Sequence, residues 1–204
     1  MIQILYEDKD IVACVKPVGI SSEDELPGLL MEQTNSKIYT LNRLDVPVGG
    51  VMVYAKNPRS AAEMSQKIAE RQDFEKTYLA VVEGSFEQKQ GTMEDLLFKD
   101  SRKNKSFVVK RERKGTKKAI LQYEVKDEKQ YNDKVFSLVQ ITLQTGRSHQ
   151  IRVQFASRRH PLLGDGKYGS KVNCDIALFS QKIQTCGKCF ACDMPQTFPW
   201  NEFV

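Results

Sequence analysis

The alternation of apolar and polar positions divides the chain into many short strands and few helices. Ile2-Gln3-Ile4-Leu5-Tyr6 and Ile11-Val12-Ala13-Cys14-Val15 are separated by an acidic turn and read as a hairpin. The second run stops at Lys16-Pro17-Val18-Gly19, where Pro and Gly punctuate. Val51-Met52-Val53-Tyr54-Ala55 and Tyr78-Leu79-Ala80-Val81-Val82 are apolar almost throughout, the pattern of central strands covered on both faces. Between them lies the clearest helix. Asn57 caps it, Pro58 suits the first helical position, and Ala61, Met64 and Ile68 recur on one face up to about Arg71.

After Gly84 the pattern loosens. Residues 119–125 and 135–143 read as strands, and a second helix begins near Ser148, although Ile151, Val153 and Phe155 also alternate as a strand would. A last strand over residues 176–183 precedes a cysteine-rich tail. Many strands interrupted by few helices predict an α+β fold on a mixed, mostly antiparallel central sheet with flanking helices. No linker-like stretch divides the chain, so residues 1–204 are expected to form a single domain.

Composition adds limits. With 40% hydrophobic and 28% charged residues, the chain has ordinary globular usage, without internal repeats. The N-terminus has no basic region followed by an apolar stretch, and nothing approaches the roughly 18 apolar residues of a membrane span. A cytoplasmic protein without membrane contact is expected.

Charge is unevenly spread. Segment 101–118 holds nine basic residues and one acid, whereas the rest of the chain is slightly acidic. Lys110, Arg111, Arg113 and Lys114 form its densest part. Such a segment suits a polyanion-binding surface, and equally a solvated hairpin whose charges protect an exposed sheet edge.

Five cysteines are an odd number, which fits reduced thiols better than a disulfide framework. Cys186, Cys189 and Cys192 have a spacing that can hold a soft metal, but no fourth ligand is obvious, Cys174, His149 and His160 being distant in sequence. Ordinary cysteines in a strand and turn are the favoured reading, with no metal; a metal-dependent module is the rival.

Two segments place charged residues beside Gly-rich turns. The first is Leu41-Asn42-Arg43-Leu44-Asp45-Val46-Pro47-Val48-Gly49-Gly50, leading into an apolar strand. Alone, Asp45 reads more readily as a turn-stabilising residue than as a reactive one. The second is Thr145-Gly146-Arg147-Ser148-His149-Gln150-Ile151-Arg152, followed by His160-Pro161-Leu162-Leu163-Gly164-Asp165 and Tyr168-Gly169. Its arginines offer planar forks for a carboxylate or phosphate.

In this order, about 100 residues apart, the two segments resemble the motifs H-R-L-D-x-x-T-S-G and T-G-R-[ST]-H-Q-[IL]-R with H-P-x-x-G-D-x-x-Y-G of the RluA-type RNA pseudouridine synthases. Lys16-Pro17-Val18-Gly19 resembles the family's K-P-x-G turn and Lys76-Thr77-Tyr78-Leu79-Ala80 its K-x-Y-x-A strand, so the likeness covers about residues 4–184. The resemblance implies a pseudouridine-synthase-type catalytic domain, without a preceding S4 domain, that isomerises uridine in structured ribosomal or transfer RNA. It implies Asp45 as the catalytic carboxylate, Arg43 as a contact to RNA near the flipped nucleotide, and Tyr78 packed on the target base with a part in proton handling. Arg147 would pair with Asp45 and keep it ionised, and Ile151 would line the apolar wall of the pocket.

The reaction moves uracil from an N1 to a C5 glycosidic link without net oxidation, so no cofactor is expected. One carboxylate suffices, as nucleophile or as base. The target nucleotide must be flipped out to be reached, and the basic residues Lys110, Arg111, Arg113 and Lys114 would hold the RNA. The chain departs from the first motif at Asn42, where the family has His, and at Val48-Gly49, which replace Thr-Ser. Loss of two hydroxyls removes hydrogen bonds that orient the loop of Asp45. A catalytically degenerate RNA-binding relative of the same fold is therefore the alternative.

Overall fold

The computed structural model describes residues 1–70 and 72–204. Arg71, where the helix following Asn57 was expected to end, lies outside the described residues. In chain order the elements are β1 (Gln3–Glu7), β2 (Ile11–Lys16), α1 (Glu25–Thr34), β3 (Tyr39–Thr40), β4 (Gly49–Ala55), α2 (Pro58–Glu70), β5 (Phe74–Glu83) and β6 (Gln90–Asp100). They continue with β7 (Lys105–Val109), β8 (Thr116–Tyr131), β9 (Lys134–Leu143), α3 (Gln150–Ser157), β10 (Leu178–Thr185) and β11 (Lys188–Ala191). The fold is α+β, with mixed but mostly antiparallel strand pairing, as the residue pattern predicts. Contacts gather the chain into two compact units, Met1–Thr77 with Phe179–Asp193, and Tyr78–Leu178 with Met194–Val204.

In the first unit the strand order is β1, β2, β4, β10, with β3 paired to β4 and β11 to β10. β1, β2 and β4 run antiparallel in turn, whereas β4 and β10 are parallel through Gly49 with Phe179 and Gly50 with Ser180. Every residue of β4 is buried, which explains its unbroken apolar run. Ile11, Ala13, Val51, Val53, Met64, Ile183 and Phe190 form the core, and α2 contributes Met64 to it. Asn57 does cap α2: its Oδ1 accepts the Ser60 N–H at 2.9 Å, while the Ser60 hydroxyl donates to the Asp10 carbonyl at 2.8 Å. The helix is thereby fastened to the β1–β2 turn.

In the second unit the order is β5, β9, β8, β6, β7, so β7 is an edge strand. β8 is 16 residues long and keeps its pairing with β9 past an irregularity between Val125 and Asp127. The segment from Ser148 resolves as helix α3, whose residues Gln150 to Phe155 are all buried. Gln154 donates to Asp95 of β6 at 2.7 Å, and the Ser106 hydroxyl of β7 donates to the Ser148 carbonyl at 2.6 Å. These bonds lay α3 against β6 and β7.

Five of the described elements, α1, β3, β6, β7 and β11, lie outside the runs that the sequence pattern marks. α1 begins Glu-Leu-Pro-Gly, in which Pro27 and Gly28 are poor helix formers, but Pro27 lies in the first turn, where its missing N–H costs no intrahelical bond. Buried Leu26 and Leu30 hold it. The strand expected over residues 176–183 falls at Leu178–Thr185, and β11 follows it. Among the described residues no helix is long and apolar enough to cross a membrane.

Candidate active site

Asp45 lies in the loop between β3 and β4 and is partly exposed. The loop is held from two sides. Its own turn closes when the Val48 N–H donates to the Asp45 carbonyl at 2.9 Å. From the segment after β2, the Gly19 N–H donates to the Val46 carbonyl at 2.9 Å, and the Ser22 hydroxyl donates to the Leu44 carbonyl at 2.9 Å while accepting the Leu44 N–H at 3.1 Å. Below, Gly50 takes φ of 119°, and a Cβ there would sit 2.2 Å from the Ser180 carbonyl oxygen. Only glycine permits β4 and β10 to approach this closely beneath the loop.

Lys16, the last residue of β2, is 1% exposed. Its Nζ donates to the Pro17 carbonyl at 2.8 Å and to the Val46 carbonyl at 3.2 Å. Burial pulls its pKa down to about 8, with the Asp45 and Glu25 carboxylates pulling the other way. A buried lysine thus supports the backbone next to Asp45. Arg43 points outward and pairs with Glu23 at 3.2 Å, both side chains about half exposed, a contact worth at most about 1 kcal/mol. Asn42 donates weakly to the Met52 sulfur at 3.9 Å, and its buried Oδ1 has no hydrogen-bond partner.

In the second unit the Thr145 to Arg152 segment is a turn locked to β8. Thr145 Oγ1 accepts the Ile120 N–H at 2.8 Å and donates to Gln150 Oε1 at 2.8 Å, which also accepts the Arg147 N–H at 3.0 Å. Arg147 is partly exposed, and its Nε donates to the Lys118 carbonyl at 2.9 Å. Arg152 and Asp165 form a buried bidentate pair at 2.6 and 2.9 Å, which joins α3 to the His160–Asp165 loop. Tyr168 lies over Arg152, and its hydroxyl accepts the Ser106 N–H at 2.9 Å and meets His149 Nδ1 at 2.9 Å. Burial raises the Tyr168 pKa, so the phenol stays protonated.

The Asp and Arg segments thus stand on ordered loops, one in each unit. A sequence profile of the family described as RNA pseudouridylate synthase matches residues 10–157. This chain belongs to the RNA pseudouridylate synthase family. An uncharacterised RNA pseudouridine synthase of Bacillus subtilis is 33% identical over 90% of the chain and 63% of its own length. The dual-specificity RNA pseudouridine synthase RluA of Vibrio parahaemolyticus is 30% identical over 89% of the chain and 73% of its own length. The tRNA pseudouridine synthase C of Haemophilus ducreyi is 32% identical over 82% of the chain and 74% of its own length. The chain spans about three fifths of the length of several relatives, 63%, 57% and 60%. In fold it is similar to the human RNA pseudouridylate synthase domain containing 1 protein, with a TM-score of 0.83 at 21% identity over 98% of this chain and 86% of that one.

In this member of the family, Arg43 and Asp45 share one loop of the first unit, while Tyr78, Arg147 and Ile151 belong to the second. Tyr78 of β5 and Ile151 of α3 are buried, at 5% and 4% exposure. Lys110, Arg111, Arg113 and Lys114 are all exposed on the turn between β7 and β8, and the Arg113 guanidinium lies 4.0 Å over the Phe98 ring. The three closely spaced cysteines fall on or beside the β10–β11 hairpin: Cys186 in its turn, Cys189 on β11 and Cys192 just after it. Among the described residues no group of three or more His, Cys, Asp or Glu is gathered for a metal ion. Ser22 and the burial of Lys16 were not anticipated. The run Ser-Ser-Glu-Asp-Glu reads as a polar loop, and a lysine before Pro reads as a strand end.

Proposed function

We propose that this chain isomerises uridine to pseudouridine in structured RNA, ribosomal or transfer, with Asp45 as the catalytic carboxylate. The observation that carries this reading is the mounting of Asp45. The family's Asp stands on a loop whose backbone is tied down by the buried Lys16 and Ser22, while its side chain keeps partial exposure. Chemistry at C1′ rewards such a fixed carboxylate, because misplacement by about 1 Å can cost on the order of a hundredfold in rate.

In the proposed reaction the N1–C1′ bond breaks, the uracil turns over within the pocket, and C5 bonds to C1′ as it loses its proton and N1 gains one. Asp45 attacks as nucleophile or removes a sugar proton. Arg43 exchanges Glu23 for RNA phosphate beside the flipped nucleotide. Tyr78 packs on the base, Ile151 lines the apolar wall, and Arg147 pairs with Asp45. Lys110, Arg111, Arg113 and Lys114 hold the RNA backbone. Relatives named for transfer and ribosomal RNA, among them a ribosomal large subunit pseudouridine synthase D of Borreliella burgdorferi, support ribosomal or transfer RNA as substrate. A cytoplasmic site of action follows from that substrate.

Mapping pseudouridine across cellular RNA with and without the gene tests the reading. A site that vanishes on deletion is expected to return with the wild-type gene and not with Asp45→Asn. Its return with Asp45→Asn would remove the catalytic assignment. If no site vanishes while the purified chain still binds RNA, the degenerate relative is the correct account, consistent with the unpartnered Oδ1 of Asn42.

A further inference from the structure

The loop of Asp45 has Val48 and Gly49 where the family's motif has two hydroxyls, so its orientation must come from elsewhere. The structure supplies a hydroxyl from another segment. Ser22 is 3% exposed, and its Oγ makes two bonds to one residue, accepting from Leu44 N at 3.1 Å and donating to Leu44 O at 2.9 Å. Leu44 immediately precedes Asp45. Its carbonyl belongs to the peptide unit that contains the Asp45 nitrogen, so the Ser22 bond sets the plane from which Asp45 departs. The next peptide unit is held through the Asp45 carbonyl, which accepts the Val48 N–H at 2.9 Å. Both peptide planes flanking Asp45 are therefore tied.

Ser22 is itself held. The Tyr54 hydroxyl donates to the Ser22 carbonyl at 2.8 Å from β4, where Tyr54 is fully buried. Burial pushes the Tyr54 phenol well above its usual pKa, so it remains a donor. A chain of contacts thus runs from a fully buried sheet residue through Ser22 to the backbone of Asp45. Only a side chain that both donates and accepts can serve the Leu44 N–H and C=O together, and the burial of Ser22 keeps solvent from replacing it.

We propose that Ser22 is a positioning residue for Asp45, held in that role by Tyr54, and that it supplies the orienting hydroxyl that the loop itself lacks. This rests on the reading of Asp45 as the reacting carboxylate.

The test is single-turnover release of tritium by the full chain from total RNA of a strain lacking the gene, labelled by growth on [5-³H]uracil. Release reports the C5–H bond lost when pseudouridine forms, whichever RNA holds the site. Rate against enzyme concentration separates the plateau rate from half-saturation. Ser22→Ala is expected to lower the plateau about tenfold to a hundredfold and to leave half-saturation within about twofold of wild type. Ser22→Thr, which keeps the hydroxyl, restores the plateau. Tyr54→Phe keeps the ring and removes only the bond to Ser22, and it gives a smaller fall with the same half-saturation. A wild-type plateau in Ser22→Ala overturns the proposal. Should Ser22→Ala fail to fold, Tyr54→Phe decides, and a wild-type plateau there overturns it equally. Failure of the underlying reading looks different: Asp45→Asn would then release tritium like wild type. If Asp45→Asn is inactive while Ser22→Ala and Tyr54→Phe match wild type, the positioning role alone is wrong.

Discussion

Lys16 shows how a single side chain ties stability to the proposed site. Its pKa of about 8 lies below the ordinary value of 10.5 because its ammonium is buried. Below pH 8 the proton is bound in both folded and unfolded chains, and the full desolvation cost weighs on the fold. Between pH 8 and 10.5 the folded chain has released the proton while the unfolded chain still binds it, so this cost disappears as pH rises. Lys16→Met removes the group. Relative to that variant, wild type is expected to gain on the order of 2–3 kcal/mol in unfolding free energy from pH 7 to pH 10. Urea melts of both proteins at the two pH values check this, and parallel curves would show that Lys16 is not desolvated as described. At the same scale, nothing local distinguishes Asp45 from any turn aspartate. Its assignment comes from the motif around it, and its rigidity from Lys16 and Ser22, which are distant in sequence.

The elements differ in how openly the residue pattern announces them. β4 is apolar throughout and buried throughout, so its pattern and its environment agree. α3 is buried on every side from Gln150 to Phe155, and a helix covered all round has no polar face to display a 3.6-residue period. That is why its sequence reads equally as strand or helix, and why packing against β6 and β7 decides. β6 hides for the opposite reason: of its 11 residues only Met93 and Leu97 are buried, too few to show a period of two. The parallel pairing of β4 with β10 depends on Gly50, whose positive φ and backbone contact leave no room for a Cβ. Gly50→Ala is expected to destabilise the protein by about 3 kcal/mol or more. Thermal and urea unfolding measure this. Gly146→Ala is the control, since a Cβ there meets nothing within 4 Å and no positive φ is involved. Equal stability of the two variants would contradict the close approach.

Across the whole molecule, the sharpest feature is the concentration of positive charge in one segment of a chain whose net charge is only +5. The segment forms an exposed turn, the edge strand β7 and a second exposed turn before β8. Edge protection and RNA binding both suit this arrangement, and ionic strength separates them. Neutralising Lys110, Arg111, Arg113 and Lys114 together should weaken RNA binding and flatten the slope of log affinity against log salt by about 3 if all four meet phosphates. An unchanged slope, read from filter binding between low and moderate salt, would leave edge protection as their role.

Family membership is legible in motif residues whose types and order need no coordinates, and the principal strands are legible in apolar runs that report burial locally. Tertiary structure decided what supports the site. Ser22 meets Leu44, Lys16 meets Val46, and Arg152 meets Asp165 across gaps in sequence that no short-range periodicity spans. A hydrogen bond depends on where two atoms end up, and that is set by the path of the whole chain. Periodicity records only which side of each element faces away from water.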